Sequence, residues 1–474
     1  MYSILDAKQL DEIHLATLNV LERAGVMIHE DNVLTLLKSA GCVVDEKRKV
    51  AKFPRKVIDD TIKKTPHSLI LGGRDKEHDL LIERGRICTR PGSAYTKVLD
   101  MDTGQCRNGT LRDTEVAAKL VDALENISFC ATHVSPSDVP QKVADICAVK
   151  VCLEATRKHL FFSPLTHETF RTIVEMAHAV SESEDEFRKR PLVSFLAATS
   201  TPLKIAQDCA KQLIDCAKAR VPVMLDSSPM LGATGPVTLA GSLVLQNVED
   251  LAMNAIVQVS NPGSPVIYGA RCAPIDMRTG FLSWGSAETA LMSAAAVQIA
   301  HYYNIPVDGH GPCTDSKTFD EQAGFEKSMT GLLPAMAGAE IISAAGIVDS
   351  LVVTSPFQLV IDDEFFGIMF RILKGIKVDQ ETLATELISQ VGYDASYLKF
   401  PHTLRNYEKE HHLARVFDKR FRGPWETAGA ESIDRVAKKR VQSILSKHEI
   451  TPLDRDVQKK LDEIVHREER RATT

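Results

Sequence analysis

Apolar residues recur at helical spacing over residues 5–25, where Leu10, Ile13, Val20 and Leu21 share a face on which Thr17 is the one polar member. A stripe of that period predicts an amphipathic helix. Helical patterns follow around 30–40 and 54–64, with Pro54 at the start of the second, where its fixed φ suits a first turn. Residues 1–85 therefore read as an N-terminal helical cap. From residue 86 the rhythm changes. Short runs rich in β-branched and aromatic residues alternate with longer helical stretches. The runs fall at 86–90 (RICTR), 127–132 (ISFCAT), 159–163 (HLFFS), 192–198 (LVSFLAA), 222–226 (PVMLD), 266–270 (VIYGA), 305–309 (IPVDG) and 340–344 (EIISA). The helical stretches between them lie at 112–125, 140–156, 167–182, 203–219, 240–259, 286–303 and 321–337.

Strand–helix alternation predicts an α/β fold with a parallel sheet. Eight repeats over residues 86–345 fit a closed (β/α)8 TIM barrel. An open doubly wound sheet is the alternative, but it favours a GxGxxG turn after an early strand, and none occurs. Residues 346–474 read as a C-terminal helical extension. Its first part, IVDSLVVTSPFQLVIDDEFFGIMFRILKGI, is apolar enough to cover the barrel mouth or a subunit contact, which makes a homo-oligomer the expectation. Residues 431–469 form a charged helical tail.

Composition narrows the partners. A net charge of −6 over 474 residues, with both signs interspersed, excludes the basic face that nucleic acid requires. Ten cysteines are scattered without a CxxC pair, which suits free thiols in a reducing cytoplasm. The start, MYSILDAKQLDEIHL, has neither the basic nor the apolar region of a signal peptide. No stretch approaches the ~18 uninterrupted apolar residues of a membrane span.

In barrels of this kind chemistry sits at the C-terminal strand ends. Those ends carry Arg90, Gly92 and Tyr95; His133; Ser163; Thr199 and Ser200; Asp226, Ser227 and Ser228; Arg271 and Cys272; Asp308, His310 and Cys313; and Asp349. Each is equally readable as a cap or loop residue. Asp308 and His310 are the catalytic candidates, because GHGPCTDSK is glycine-punctuated and dense in polar groups. His310, Cys313 and Cys272 offer the donor types of a zinc site but not its usual spacing. Buried thiols are the plainer reading, and no metal is expected. Aromatic rings near these ends are Tyr95, Phe162, Trp284, Phe319, Phe357 and Tyr393. Such rings can cage a quaternary ammonium by cation–π attraction. Tyr95 and Trp284, in polar glycine-containing loops, are the leading cage candidates, with Phe357 beside them.

Four stretches resemble the trimethylamine methyltransferase family: RPGSAYTKVLDMDTGQCRNGTLRDTEVAAKLVDAL at 90–124, the segment 225–269 beginning LDSSPMLGATGPVTLAG, GPCTDSKTFDEQAGFEKSMTGLLPAMAGA at 311–339, and HTLRNYEKE at 402–410. The resemblance runs over roughly residues 5–445 and implies the same barrel that the strand pattern predicts. Founding members carry pyrrolysine near the end of the barrel; none occurs here, and the matching position lies near Gly346. The chain thus resembles the pyrrolysine-free branch. That resemblance implies transfer of a methyl group from a small quaternary amine (glycine betaine, proline betaine or a carnitine-like compound) to Co(I) of a corrinoid. The corrinoid (cobalamin) would be presented by a corrinoid-binding partner protein, with no cofactor held by this chain. After HTLRNYEKE the chain departs from the family's expected aromatic and reads His411 and His412.

A quaternary nitrogen leaves as a neutral amine without being protonated, so the chemistry needs orientation more than an acid. For substrates that also bear a carboxylate, Arg90 and Arg271 are expected to bind it, since guanidinium offers a bidentate fork. Asp308 is expected to face the ammonium or to orient His310. Two other classes remain open at this stage: a zinc-dependent barrel methyltransferase using another methyl donor, and a betaine-binding module without turnover.

Overall fold

The computed structural model describes residues 2–100, 102–393 and 396–473. Its centre is an eight-stranded parallel barrel. The strands are β1 (Cys88–Pro91), β2 (Cys130–Ala131), β3 (Leu160–Phe162), β4 (Val193–Ala198), β5 (Val223–Asp226), β6 (Val266–Ala270), β7 (Val307–His310) and β8 (Ile341–Ala345). Each lies inside, or within one residue of, a run that the sequence marks. Neighbours pair in the order β1-β8-β7-β6-β5-β4-β3-β2. The ring closes between β1 and β2 through backbone bonds in which Ser128 and Phe129 donate to the Thr89 carbonyl at 2.9 and 3.3 Å.

Helices wrap the barrel, and their starts are written in the sequence. Thr110 and Asp113 form a capping box ahead of Leu111–Ala123. Thr166 and Thr169 do the same for His167–Val180, and Asp320 accepts from the Ala323 amide ahead of Glu321–Ala337. Each satisfies amides that a helix start leaves without a partner. The helix Leu239–Ser260 is buried around most of its circumference. Its outer face is covered by the N-terminal helices Ala7–Arg23, Asp31–Ser39 and Arg55–Lys64, which explains why it is apolar on both sides.

The N-terminal region is not purely helical. Strands Val26–Ile28, Val43–Asp45 and Val50–Lys52 form a small sheet, to which Lys204–Ile205 adds an edge. A hairpin of Leu69–Leu71 and Leu80–Ile82 follows. Its apolar side chains join Cys88, Phe129, Phe161, Met224, Ile267 and Ile341 in one buried cluster. These last six lie on or beside barrel strands, so the hairpin plugs the N-terminal end. Side chains two positions further along the same strands continue the inward face, and there the filling turns polar: Arg90, Asp226 and Ser343, with Asp308 and His310 on β7.

Beyond the barrel, Ile347–Val348 and Val353–Thr354 pair with Lys97–Leu99 and Cys106–Asn108. This second small sheet ties the loop after β8 to the loop after β1. The apolar stretch that follows becomes the helix Pro356–Leu373, capped by Ser355, and packs on Leu111–Ala123 and Ile433–Lys447. The final helix, Arg455–Thr473, lies against His167–Val180. Among the described residues no helix is long and apolar enough to cross a membrane.

Candidate functional site

The polar layer of the barrel is organised around Asp308. Parallel registers place Asp308 opposite Ile341 and Ser343 opposite Arg90, so three strands bring these groups together. Arg90 donates Nε and Nη2 to Asp308 Oδ2 at 3.0 and 2.7 Å. Its Nη1 donates to the Pro91 carbonyl at 3.0 Å, and its guanidinium carbon lies 3.9 Å over the Phe161 ring. The Ser343 hydroxyl donates to the other oxygen, Oδ1. Both carboxylate oxygens and every nitrogen of Arg90 are therefore engaged. Arg90 was expected to bind a substrate carboxylate; instead it is 1 % exposed and committed to Asp308.

Arg271 is different. It follows β6, and its Nη2 donates to Ser343 Oγ at 3.2 Å and lies 3.9 Å from Asp308 Oδ1. Its Nε is 3.7 Å from Asp226 Oδ1 and makes no hydrogen bond although buried. Asp226 is held by Ser228 at 2.8 Å. Burial pushes its carboxyl above the usual range, against the pull of Arg271. Arg271 is raised: burial works against its charge, but Asp226 and Asp308 outweigh it.

His310 ends β7, and its amide donates to Ser293 Oγ at 3.0 Å. The ring is buried, and neither Nδ1 nor Nε2 has a hydrogen-bond partner. Burial, with Arg271 and Arg90 nearby, drives its pKa well below the ordinary histidine value, so the imidazole is neutral at physiological pH. Trp284 stands edge-on to it, ring centroids 4.7 Å apart at 72°. Trp284 also packs in one cluster with Cys313, Ala273, Ala344 and Ile347, which Tyr95 joins. Burial raises the Tyr95 phenol, and Arg271 and Arg90 pull the other way.

Six of the seven residues marked by the sequence thus converge: Arg90, Tyr95, Arg271, Trp284, Asp308 and His310. Phe357 does not join them. It opens the helix Pro356–Leu373 and meets Phe319 edge-on, centroids 6.2 Å apart, within the large core cluster. The proposed zinc donors do not gather either. Cys272 Sγ donates to Gln246 Oε1 at 2.9 Å. The one group of three candidate donors brought within 4.8 Å among the described residues is Asp75, Glu77 and His78, on the surface.

Several supports escape a reading by strand ends. Ser343 is a lone polar residue in an alanine- and isoleucine-rich strand. Glu249, buried in the apolar helix Leu239–Ser260, accepts from the hydroxyls of Thr199, Thr201 and Ser227 at 2.5, 2.8 and 2.6 Å and from the Leu203 amide at 2.6 Å. It pins the loops after β4 and β5. Buried Lys327 pairs with Asp362 at 3.0 Å and donates to the Pro312 carbonyl, while Asp362 accepts from the Gly346 amide. Adjacent acids inside largely apolar helices, Glu249 with Asp250 and Asp362 with Asp363 and Glu364, were the available signal. Gly346 has φ +82°, and a Cβ there would meet Leu359 at 2.6 Å and His133 Nε2 at 2.8 Å. A side chain at position 346 would therefore need Leu359 and His133 to move.

Comparison with known proteins gives one family. The family model described as Trimethylamine methyltransferase (MTTB) matches residues 1–473. The chain is 32 % identical over 462 residues to trimethylamine methyltransferase MttB of Desulfitobacterium hafniense, covering 98 % of this chain and 93 % of that one. It is also 32 % identical over 481 residues to MttB of Methanosarcina barkeri, covering 98 % and 94 %. Identity is again 32 %, over 466 residues, to a glycine betaine methyltransferase of Desulfitobacterium hafniense, covering 98 % and 96 %.

Proposed function

The chain belongs to the trimethylamine methyltransferase family and is a methyltransferase; from that premise we propose that its methyl donor is a small betaine, a quaternary amine bearing a carboxylate, and that the acceptor is Co(I) of a corrinoid carried by a partner protein. The observation that carries the betaine reading is a set of buried atoms without a hydrogen-bond partner, Arg271 Nε and both His310 ring nitrogens, with the Trp284 ring edge-on to His310. A buried polar atom left unpaired costs roughly 1–3 kcal/mol. A ligand carboxylate received by Arg271, with neutral His310 donating one N–H, removes that cost. The ammonium methyls then face Trp284 and Tyr95, each good cation–π contact contributing ~0.5–2 kcal/mol.

In the transfer the cobalt electron pair forms a bond to one methyl carbon, and the carbon–nitrogen bond breaks with its pair going to nitrogen. The amine leaves neutral, and cobalt is oxidised by two electrons. No proton moves, so no acid is required. That fits a neutral His310 and an Asp308 whose oxygens are already taken by Arg90 and Ser343. Asp308 and His310, expected as catalytic, are assigned here to positioning and to substrate binding. The gain comes from holding the methyl carbon in line for attack.

The test uses the purified chain, free cob(I)alamin, and glycine betaine, proline betaine, carnitine and trimethylamine in turn. Loss of the Co(I) spectrum with at least one carboxylate-bearing donor is expected. Turnover of trimethylamine alone would overturn the betaine assignment, and no turnover with any donor would overturn the reaction. The relatives named for trimethylamine make that amine the necessary comparison.

A further inference from the structure

Thr17 is the one polar member of an apolar helix face, and Gln246 and Asn247 stand side by side in the largely apolar helix Leu239–Ser260. All three are buried. Asn247 Nδ2 donates to Thr17 Oγ1 at 2.9 Å and to the Tyr303 hydroxyl at 2.8 Å, while its Oδ1 accepts from the Tyr268 hydroxyl at 3.1 Å. Gln246 turns to the same strand. Its Nε2 donates to the Gly269 carbonyl at 2.5 Å, and its Oε1 accepts from Cys272 Sγ at 2.9 Å. Asp250 Oδ2 stands 3.5 Å from Nε2. Acceptors on one side and a thiol on the other fix which end of the amide is which. Burial, with Asp250 nearby, holds the Cys272 thiol well above its ordinary pKa, so it stays a donor. Two buried amides are tolerated in such a helix only if bonded, and here both are bonded to β6 or to the turn that follows it.

The residue these contacts enclose is Arg271. Side chains alternate along an extended chain. Tyr268 and Cys272 face the helix, and Arg271 faces the barrel interior, where its Nη2 reaches Ser343. The ends of β5 and β6 also run close together. A Cβ on Gly269 would lie 2.1 Å from the Leu225 carbonyl oxygen, and Asp226 is the next residue. Arg271 nevertheless stops short of a pair: its Nε lies 3.7 Å from Asp226 Oδ1. An N–H···O bond forms at about 3.2 Å or less, so a movement of roughly 0.5 Å would commit Arg271 to Asp226, as Arg90 is committed to Asp308.

We propose that Gln246 is a positioning residue that sets selectivity for a carboxylate. By holding Gly269 and Cys272 on either side of Arg271, it keeps the guanidinium off Asp226 and open to the substrate. Asn247 ties the same strand to the helix Ala7–Arg23 through Thr17, which gives this clamp a fixed base. The selectivity rests on the betaine reading above; the placement of Arg271 does not.

Two experiments test the clamp. In a crystal structure of Gln246→Leu without donor, Arg271 Nε should close to within about 3.2 Å of Asp226. A separation still at 3.7 Å would overturn the proposal whatever the methyl donor is. The second experiment measures KM and kcat for glycine betaine and trimethylamine with free cob(I)alamin. Gln246→Leu should raise the betaine KM about tenfold, as for one lost charged hydrogen bond, with kcat and any trimethylamine KM within about twofold of the parent. An unchanged betaine KM, or an equal rise for both amines, would overturn the selectivity. A parent that uses no carboxylate-bearing donor would overturn the betaine reading instead, and the crystal structure alone would then decide the clamp. Cys272→Ala removes only the thiol and stands in if Gln246→Leu fails to fold; it should move Arg271 and the betaine KM in the same direction. Cys272→Ser keeps a donor for Gln246 and should restore both. A serine variant that behaves like the alanine variant would show that the bond to Gln246 holds nothing in place.

Discussion

Arg90 and Asp308, 218 positions apart, meet inside the barrel with two guanidinium nitrogens on one carboxylate oxygen, at 3.0 and 2.7 Å. Both side chains are 1 % exposed. Attraction in such a site is offset by the cost of taking two charges out of water. The pair is more valuable as a fixture: it closes off Arg90 and leaves Arg271 as the cation with an unpaired nitrogen.

Removing one charge tests this. Asp308→Asn leaves Arg90 buried without its counter-ion, which costs about 3–5 kcal/mol in comparable sites. Denaturant titration should show a loss of that order. The double variant Arg90→Met/Asp308→Asn should recover most of it, because Met fits between Phe161 and Met224 without a charge. A single variant as stable as the parent would remove Asp308 from the centre of the site.

The barrel was legible because each strand is a compact β-branched or aromatic run between stretches of helical period, and eight such runs admit few arrangements. The N-terminal strands were not, since three residues such as Val26–Ile28 show no alternation to read. Strand-end position also located Arg90, Arg271, Asp308 and His310. It said nothing of which donors are spent, because Arg90 differs from Arg271 only through Asp308 and Ser343, far away in sequence. Phe357 fails for a related reason. Closeness to a strand end does not fix a side chain's direction, and the turn at Ser355 aims it at Phe319.

Two buried histidines, His159 just ahead of β3 and His133 behind the Tyr95 ring, should set the acid limit of the fold. His159 shares its nitrogens with the Gly72 carbonyl at 3.1 Å and the Ser194 hydroxyl at 2.7 Å. His133 bridges the Gly92 carbonyl, at 2.8 Å, and Thr354. Burial pulls each down to about 4 from 6.5. Between those values the unfolded chain binds more protons than the folded one, so stability rises with pH across the window and is lost as pH falls from 6.5 towards 4. Each group accounts for roughly 3 kcal/mol at 1.36 kcal/mol per unit. His159→Gln should flatten the urea midpoint against pH in that window; an unchanged slope would contradict the assignment.

The acceptor must reach the barrel mouth, and the loops after β5 and β6 carry Val237 and Phe281, 65 % and 76 % exposed. Both side chains stand in solvent, whereas Trp284 and His310, assigned to substrate, are buried. Val237→Asp and Phe281→Asp should therefore leave methyl transfer to free cob(I)alamin within about twofold, while transfer to a protein-bound corrinoid falls about tenfold or more, as for truncated interface anchors. Equal loss with both acceptors would mean that these side chains act on the site rather than on docking.

Arg271 and Trp284 are assigned to opposite ends of the same small substrate, and that division can be separated kinetically. Arg271→Gln keeps a hydrogen-bond donor but removes the charge. A charged hydrogen bond contributes about 1.5–3 kcal/mol, so the betaine KM should rise roughly 10- to 150-fold. Trimethylamine has no carboxylate, so any activity towards it should change far less. Trp284→Leu should weaken every methylated amine, by about 2- to 30-fold for one lost cation–π contact. If Gln at 271 affected trimethylamine and betaine equally, Arg271 would be holding Asp226 and Asp308 in place rather than reading the substrate, and the betaine assignment would lose its anchor. Arg271→Lys separates the last two possibilities. A lysine keeps the charge near Asp226 and Asp308 but lacks the fork that meets a carboxylate in two places, so it should restore stability without restoring the betaine KM.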